Sequence, residues 1–316
     1  MASRIPDDAD DVELEVGGKQ VELTNLRKPF WPDLGITKGD LLRYYEEMAP
    51  VLLPHLKDRA MVMKRYPHGW QGNFFFMKRT PSHAPAWIET CRIHHRSGNV
   101  IDFPMVQDLA SLLWVINLGC IDLNPWYSRC DDVDRPDYLH FDLDPVKGAT
   151  FATVREAALR VRELLEALGM EVFAKTTGSK GMHLYVPIER GPTQKQVWTF
   201  AKAFALEVEK RWPGIATAVY EVAARPRGRV LVDYNQNRWG STLASVYSVR
   251  PKPYATVSTP VTWAEVEDGV EIEDFTLANV PARVRDRGEL WAPPTGGSRF
   301  DLAPLLGAAA RTAARS

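Results

Sequence analysis

Residues 138–144 constrain the fold of this chain more than any other segment. Their sequence, Tyr-Leu-His-Phe-Asp-Leu-Asp, alternates apolar and polar side chains and is followed by Pro145. Because alternate side chains of a β-strand share a face, the apolar set can enter a core while Asp142 and Asp144 project together from the opposite face. Two carboxylates on one face repel each other unless a cation lies between them, and oxygen pairs of this kind suit Mg²⁺ or Mn²⁺. A half-buried strand with a solvated acidic edge is the alternative interpretation.

The segments that follow this strand indicate the fold class. The sequence predicts a helix at 153–168, strands at 171–175 and 182–188, a helix at 193–211 and a strand at 229–234. Both helices begin with a capping box, Thr153 to Glu156 and Thr193 to Gln196. The resulting order, βαββαβ, is that of the ferredoxin-like unit, in which the first strand lies between the third and the fourth. The fold class is therefore predicted to be α+β.

Asp233 is the third acid of a predicted cluster. It ends the apolar run Val-Leu-Val-Asp, and the strand order places it with Asp142, Asp144 and His183 on the open face of the sheet. Three carboxylates can hold two divalent ions about 4 Å apart, an arrangement that favours phosphoryl or nucleotidyl transfer. Taken alone, an aspartate at this position is more typical of a turn at the end of a strand.

The turn before the strand at 182–188 is a candidate site for a triphosphate. Its sequence is Thr-Thr-Gly-Ser-Lys-Gly-Met-His, in which small residues allow a ligand to approach the backbone. The hydroxyls of Thr177 and Ser179, the Lys180 ammonium and backbone N–H groups are the predicted phosphate ligands. It is not a Walker A loop, because Gly-Lys-Ser/Thr is missing and a strand follows. A hairpin turn with an exposed lysine and a structural histidine at His183 is the alternative.

Basic and aromatic residues accompany these elements in the sequence. Aromatic rings can stack on bases while neighbouring cations bind phosphates, although each residue alone is more typical of an ordinary surface charge or core ring. The residues are Lys64, Arg65, Phe74, Phe75, Phe76, Lys78, Arg79, Arg225, Arg227, Arg229, Gln236, Arg238, Arg250 and Lys252.

The ends of the chain differ in composition from its middle. The formal net charge of the 316 residues is −1, but Asp and Glu are concentrated in residues 7–15. The sequence predicts a disordered acidic leader at 1–18, a single domain at 19–302 and a flexible tail at 303–316. Within the domain it predicts an N-terminal lobe at 19–130, with a helix from Thr37 to Met48, and a second lobe with a C-terminal extension at 131–302.

No secretory signal or membrane-spanning segment is predicted. The N-terminus is acidic, and the longest apolar stretch, 109–121, is too short for a bilayer and is predicted to be a core helix. The three cysteines form no disulfide framework, which fits the cytoplasm, and Cys91, His94 and His95 do not make a convincing zinc site.

Three motifs together resemble those of the archaeo-eukaryotic primase–polymerases. They are His-Phe-Asp-Leu-Asp-Pro, Gly-Ser-Lys-Gly-Met-His and Val-Asp-Tyr-Asn-Gln-Asn, in that order. Within the superfamily the chain resembles the polymerase domain of bacterial ligase D, and more closely the stand-alone Prim-PolC. The resemblance extends from about Val21 to Pro294.

The resemblance implies a primase–polymerase fold, with an RRM-like βαββαβ catalytic lobe packed on an N-terminal α/β lobe. It implies template-directed addition of nucleotides, often ribonucleotides, to a primer 3′-hydroxyl with two divalent cations, Mn²⁺ in preference to Mg²⁺. The expected task is filling short gaps in DNA during end joining or base excision repair, at the bacterial nucleoid.

The resemblance also assigns roles to individual residues. Asp142 and Asp144 would bind both ions, and Asp233 would complete the site for the ion nearest the 3′-hydroxyl. The expected nucleotide-binding residues are Thr177, Ser179, Lys180, Gly181, His183, Gln236 and Arg250. The expected DNA-binding residues are Lys28 and Lys38 at a 5′-phosphate, Phe75 and Phe76 near the template, and Lys78.

Two departures from the family pattern matter. Asn124 stands where ligase D relatives commonly carry a histidine, so the role of that histidine cannot be transferred. No ligase or nuclease motif is present, so the expected partners of this monomer are gapped or broken DNA, NTP or dNTP, a separate ATP-dependent ligase and Ku. A primase that starts strands de novo and a non-catalytic RRM-like module that binds single strands are the alternatives.

Overall fold

The computed structural model describes residues 3–95, 97–291 and 297–314. The chain divides into two compact units, and each is interrupted in sequence. The first comprises Met1–Trp126, Ala244–Ser258 and Phe275–Glu289, and the second comprises Tyr127–Leu243, Thr259–Asp274 and Leu290–Ser316. The chain first passes from one unit to the other between residues 126 and 127, whereas the sequence predicted a lobe boundary between 130 and 131. The sequence did not predict that two later segments return to the first unit.

Up to Trp126, the described part of the first unit contains small antiparallel sheets and two α-helices. In chain order its elements are β1 (Val12–Val16), β2 (Lys19–Leu23), β3 (Pro29–Trp31), β4 (Ile36–Thr37), α1 (Lys38–Leu56), β5 (Met61–Arg65), β6 (Phe75–Met77), β7 (Thr90–His94), β8 (Val100–Pro104), α2 (Leu109–Asn117) and β9 (Cys120–Pro125). The sheets are β1–β2, β3–β4, β6–β5–β9 and β7–β8. The Thr37 hydroxyl accepts the Asp40 N–H and the Asp40 carboxylate accepts the Thr37 N–H, so α1 begins where predicted but extends beyond Met48.

The predicted core helix at 109–121 is shorter in the structure. It ends at Asn117, and β9 begins at Cys120. The Cys120 thiol is buried and free, whereas Cys91 in β7 is disulfide-bonded, which the sequence did not predict. No helix in the described part of the chain is long and apolar enough to cross a bilayer.

The second unit has the predicted ferredoxin-like strand order. Its elements are β10 (Tyr138–Pro145), α3 (Phe151–Glu166), β11 (Phe173–Thr176), β12 (Met182–Pro187), α4 (Gln194–Arg211), β13 (Ala216–Thr217), β14 (Val230–Asp233), β15 (Pro260–Val261) and α5 (Trp263–Asp268). In the described residues, β13–β14–β10–β12–β11–β15 form one sheet. The first predicted strand, β10, thus lies between the third, β12, and the fourth, β14, as predicted. Cys130, in the loop before β10, is disulfide-bonded.

The apolar face of this sheet is covered as the alternation in β10 predicts. Leu139, Phe141 and Leu143 are fully buried, and both α3 and α4 contact β10. Burial of these side chains contributes about 1.5–3 kcal/mol each to folding. The opposite face carries the polar residues of the strand.

Both predicted disordered ends contain ordered structure. In the leader, Ile5 is buried and β1 pairs along its whole length with β2, so apolar contacts and strand pairing overcome the local charge. After α6 (Val280–Arg287) of the first unit, the tail of the second unit forms α7 (Ala303–Ala314), which packs on α4. The prediction of disorder is therefore wrong for both segments, although residues 1, 2, 315 and 316 lie outside the described residues.

Candidate active site

The strand register brings the predicted acids to one face of the sheet. Asp142 in the middle of β10 lies directly opposite Asp233 of β14 on one side and His183 of β12 on the other. Directly opposed residues of an antiparallel pair project to the same face, and Asp144, two positions further along β10, shares that face. The structure therefore places these four residues together as the strand order requires.

The burial of two acids, together with their mutual repulsion, indicates what the site could bind. Asp142 and Asp233 are only 8% and 5% exposed. Burial raises the pKa of Asp233 to about 6; the Asn235 N–H opposes this shift, and the carboxylates of Asp142 and Asp144 reinforce it. A divalent cation would relieve both the desolvation and the repulsion.

The site fits divalent cations because its donor atoms are carboxylate oxygens. Carboxylate oxygens are the preferred ligands of Mg²⁺ and Mn²⁺. Across the described part of the chain, no group of three or more His, Cys, Asp or Glu side chains is already arranged around a common ligand position. The metal-ligand roles of Asp142, Asp144 and Asp233 therefore stay predictions.

The turn after β14 holds Asp233 in place. One carboxylate oxygen accepts the Asn235 N–H at 2.7 Å, and the other accepts the Gln236 side-chain amide at 3.2 Å. The Asn237 side chain donates to the backbone carbonyl of His140 and accepts the N–H of the same residue, at 2.7 and 3.2 Å. Gln236 thus contacts Asp233, and the motif Val-Asp-Tyr-Asn-Gln-Asn joins its own strand end to β10.

A buried lysine that the sequence analysis missed continues the row of polar residues. Lys175 of β11 lies opposite His183, is fully buried, and has its Nζ 2.7 Å from His183 Nδ1. The other ring nitrogen, Nε2, is 3.3 Å from Asp142 Oδ1. His183, predicted to contact phosphate, therefore lies between Lys175 and Asp142. The signal available in the sequence was a lysine directly after the apolar run Val-Phe-Ala at 172–174.

The turn between β11 and β12 is shaped by Thr177. Its hydroxyl oxygen accepts the N–H groups of Ser179, Lys180 and Gly181, each at 3.1 Å. These N–H groups are therefore used within the turn, and phosphate ligands would come from the side chains of half-buried Ser179 and exposed Lys180.

Gly181 has a packing role that explains its residue type. A Cβ added here would lie 2.0 Å from the carbonyl oxygen of Leu143 in β10. Only glycine allows the turn to pass this close to the strand that carries Asp142 and Asp144. The predicted nucleotide-binding role of Gly181 stays a prediction beside this structural one.

Arg250, the last of the predicted nucleotide-binding residues, belongs to the first unit. Its Nε lies 3.4 Å from the carboxylate of Asp122, which is buried in β9. Asn124, two residues further along β9, donates to the Asp122 carbonyl at 3.0 Å and so contributes to the strand end. The phosphate role of Arg250 stays a prediction.

An exposed aromatic surface in the first unit contains the predicted template residues. Phe74, Phe75 and Phe76 are 49%, 46% and 57% exposed. The Lys64 ammonium lies 4.3 Å from the ring centre of Phe74, and the Arg65 guanidinium lies 5.0 Å from that of Phe75. Exposed rings paired with cations are typical of surfaces that bind single-stranded nucleic acid, and exposed Lys78 follows them in sequence.

The two predicted 5′-phosphate lysines are neighbours in the first unit. The Lys38 N–H donates to the Lys28 carbonyl at 2.9 Å, and the Lys38 Nζ donates to the Thr24 carbonyl at 2.5 Å. Burial first, and then the charge of Lys28, lower the pKa of Lys38 to about 8. A bound anion would offset the electrostatic repulsion between Lys28 and Lys38.

Comparisons with known proteins identify the family of this chain. The model of the LigD primase-polymerase domain matches residues 37–291. The multifunctional non-homologous end joining protein LigD of Mycolicibacterium smegmatis is 34% identical over 277 residues, which are 87% of this chain and 36% of that protein. The bifunctional LigD of Bacillus subtilis is 28% identical over 270 residues, 85% of this chain and 43% of that protein. The chain thus spans less than half the length of these relatives.

A solved structure covers nearly the same extent as this chain. The polymerase domain of Mycobacterium tuberculosis ligase D in complex with DNA has a TM-score of 0.80 and 31% sequence identity, and the match covers 85% of this chain and 95% of that one. With the family model spanning most of the sequence and this structure superposing on it, the chain belongs to the LigD primase-polymerase domain family and is a DNA-directed nucleotidyltransferase.

Proposed function

We propose that this chain is a template-directed polymerase that fills short gaps during DNA repair, and that it prefers ribonucleotides. The observation that carries the proposal is the register that sets Asp142 opposite Asp233, with Asp144 on the same face. Two buried acids, Asp142 and Asp233, with half-buried Asp144 on the same face are costly for a non-catalytic RRM-like module, whose face would repel nucleic acid. They are the donor set that nucleotidyl transfer needs.

Asp142, Asp144 and Asp233 would hold two divalent cations, with Mn²⁺ favoured over Mg²⁺. When bound, such ions lower the cost of ionising the primer 3′-hydroxyl and stabilise the leaving pyrophosphate. The Asn235 N–H and the Gln236 amide orient Asp233 for this role.

We propose nucleotide and DNA contacts for residues of each unit separately. Ser179 and Lys180 would bind the incoming triphosphate, with His183 and Arg250 as further cationic or hydrogen-bonding groups. Lys28 and Lys38 would bind the 5′-phosphate at the far side of a gap, and Phe75, Phe76 and Lys78 would contact the template.

The central test is extension of a primer across a one-nucleotide gap by an Asp142→Asn variant. The substitution keeps the size of the side chain but removes a metal-ligating charge, so incorporation is expected to fall to background with either metal. Glu171→Gln, which removes an exposed acid just before β11, is the matched control and should extend normally. Full extension by Asp142→Asn would refute the assignment of the site.

The same assay separates the finer parts of the proposal. Parallel reactions with NTP or dNTP, each with Mn²⁺ or Mg²⁺, measure the sugar and metal preferences. A primer-free reaction on a single-stranded template measures de novo priming, and strong dinucleotide synthesis there would favour a primase.

The pathway is proposed from the printed names of the relatives. The M. smegmatis and B. subtilis proteins are named for non-homologous end joining. We propose an end-joining role for this chain at the nucleoid, with base excision repair as a second setting. A separate ATP-dependent ligase and Ku would be its partners, and co-purification of tagged chain with either protein tests this.

A further inference from the structure

The acidic leader binds the loop that carries Lys28. Three successive backbone N–H groups of this loop, Thr24–Lys28, donate to two leader residues, Asp10 and Asp11. The bonds run from Asn25 to Asp11 Oδ1 at 2.8 Å, from Leu26 to the Asp10 carbonyl at 2.7 Å, and from Arg27 to Asp10 Oδ1 at 3.0 Å. Asn25 has a φ of +56°, so the loop adopts a turn that curls its N–H groups toward these acceptors.

The opposite side of the same loop is held by the first turn of α1. The Lys38 N–H donates to the Lys28 carbonyl, and the Gly39 N–H donates to the Leu26 carbonyl at 2.8 Å. The Lys38 ammonium donates to the Thr24 carbonyl. The loop is therefore held between the leader and α1, and the relative placement of the two lysines depends on both.

The negative charge of the leader also affects Lys38, by favouring its protonated form. Burial and Lys28 lower the pKa of Lys38, and the carboxylates of Asp11 and Asp10 oppose this effect. The leader thus favours the charged form of Lys38 while leaving its ammonium beside Lys28. Since the N–H groups of residues 25–27 are already used, an anion at this place would be bound by side chains.

We propose that Asp10 and Asp11 are positioning residues for recognition of a 5′-phosphate monoester. Their oxygens hold the Thr24–Lys28 loop in the shape that presents Lys28 and Lys38 as a pair. The inference rests on the proposed function, which assigns these lysines to the phosphate. It gives the acidic leader, which has no place in the family motifs, a role in substrate selection.

The test compares the affinity of the full chain for gapped DNA bearing a 5′-phosphate or a 5′-hydroxyl. In Asp10→Ala/Asp11→Ala, loss of the side-chain acceptors should reduce the phosphate preference by about threefold to tenfold, toward that of Lys28→Ala. In Asp10→Asn/Asp11→Asn, which keeps the acceptor oxygens, most of the preference should remain. The single variant Asp11→Ala, at an exposed residue, should show the same direction if the double variant folds poorly.

The matched control is Glu13→Ala/Glu15→Ala, which removes two exposed acids from the neighbouring strand β1. It should leave the phosphate preference unchanged, because these residues make no backbone contact to the loop through their side chains in the described structure. Equal losses in this control and in the Asp10/Asp11 variant would show a general charge effect and overturn the inference.

Three further outcomes distinguish failure of this inference from failure of the proposed function. If Lys28→Ala loses the phosphate preference but the leader variants keep it, the positioning role is wrong and the lysine assignment stands. If the leader variants bind the 5′-phosphate more tightly, the leader competes with phosphate and positioning is again wrong. If the unaltered chain shows no phosphate preference, the lysine assignment fails and the positioning role with it.

Discussion

Asp233 is a carboxylate whose surroundings oppose its ionisation. Its pKa is about 6 in the fold, against 3.8 for an aspartate in a simple chain. Because the folded state holds the proton more tightly, ionisation costs folding free energy, and this cost grows as the pH rises from about 4 and is complete above about 6. The cost is at most about 3 kcal/mol by the conversion of pKa to free energy.

Asp233→Asn is therefore expected to stabilise the metal-free protein above pH 6 while abolishing nucleotide incorporation. The amide keeps an oxygen for the Asn235 N–H but removes the buried charge. Thermal unfolding in chelator at pH 5 and pH 8 measures this, and the gain should be larger at pH 8. Mn²⁺ should raise the unfolding temperature of the unaltered chain far more than that of the variant; equal shifts would show that Asp233 does not bind the ion.

Some features of single residues could be predicted from the sequence, and others could not. The three acids were predictable because alternation and strand order define their face. The contact of Lys175 with His183 was not, since it depends on which residues β11 and β12 place opposite each other. The role of Thr177 likewise depends on the conformation of a turn that its residue types alone do not determine.

At the scale of elements, capping patterns located helices more reliably than they located helix starts. The start of α1 at Thr37 and the capping box at Thr193 were predicted correctly. The box at Thr153 was wrong, because α3 begins after Thr150, whose hydroxyl accepts the Thr153 N–H. Thr150 is followed three residues later by Thr153 rather than by Glu or Gln, so the Thr-x-x-Glu pattern pointed to the wrong threonine.

The turn between β11 and β12 gives a prediction at this scale. Gly181→Ala should displace the turn from β10, because its Cβ would meet the Leu143 carbonyl, and should destabilise the chain by about 1–3 kcal/mol or more. It should also raise the KM for nucleotide, since Lys180 would move with the turn.

Two variants provide the comparison. Lys180→Ala should raise the KM without lowering the unfolding temperature, and Gly214→Ala, where a Cβ meets nothing within 4 Å, should change neither. An unfolding temperature for Gly181→Ala equal to that of the unaltered chain would contradict the packing argument.

At the scale of the whole molecule, the course of the chain was the least predictable feature. Segments Ala244–Ser258 and Phe275–Glu289 return to the first unit and carry Arg250 with them. No local pattern in the sequence encodes such a return, because it depends on contacts between residues far apart in the chain. The order in the leader was missed for a similar reason: its partners lie in the Thr24–Lys28 loop and in β2.

The overall charge of −1 means that attraction to DNA has to come from local cationic surfaces. Lys28→Ala should therefore reduce the slope of log affinity against log salt by about 1 for gapped DNA with a 5′-phosphate. The control Lys195→Ala, at an exposed position on α4, should leave the slope unchanged. A slope unaffected by Lys28→Ala would show that this lysine does not bind a phosphate.

Asp233, Asp142, His183 and Lys175 lie in one row across β14, β10, β12 and β11, so each strand supplies a single member. A slip of one residue in any of these pairings would turn that member to the opposite side of the sheet. Molecules with a misaligned sheet would consequently give no nucleotide incorporation, even when they are compactly folded. The fraction of activity regained after denaturation and refolding thus measures the fraction of molecules in which all four strands have their native register.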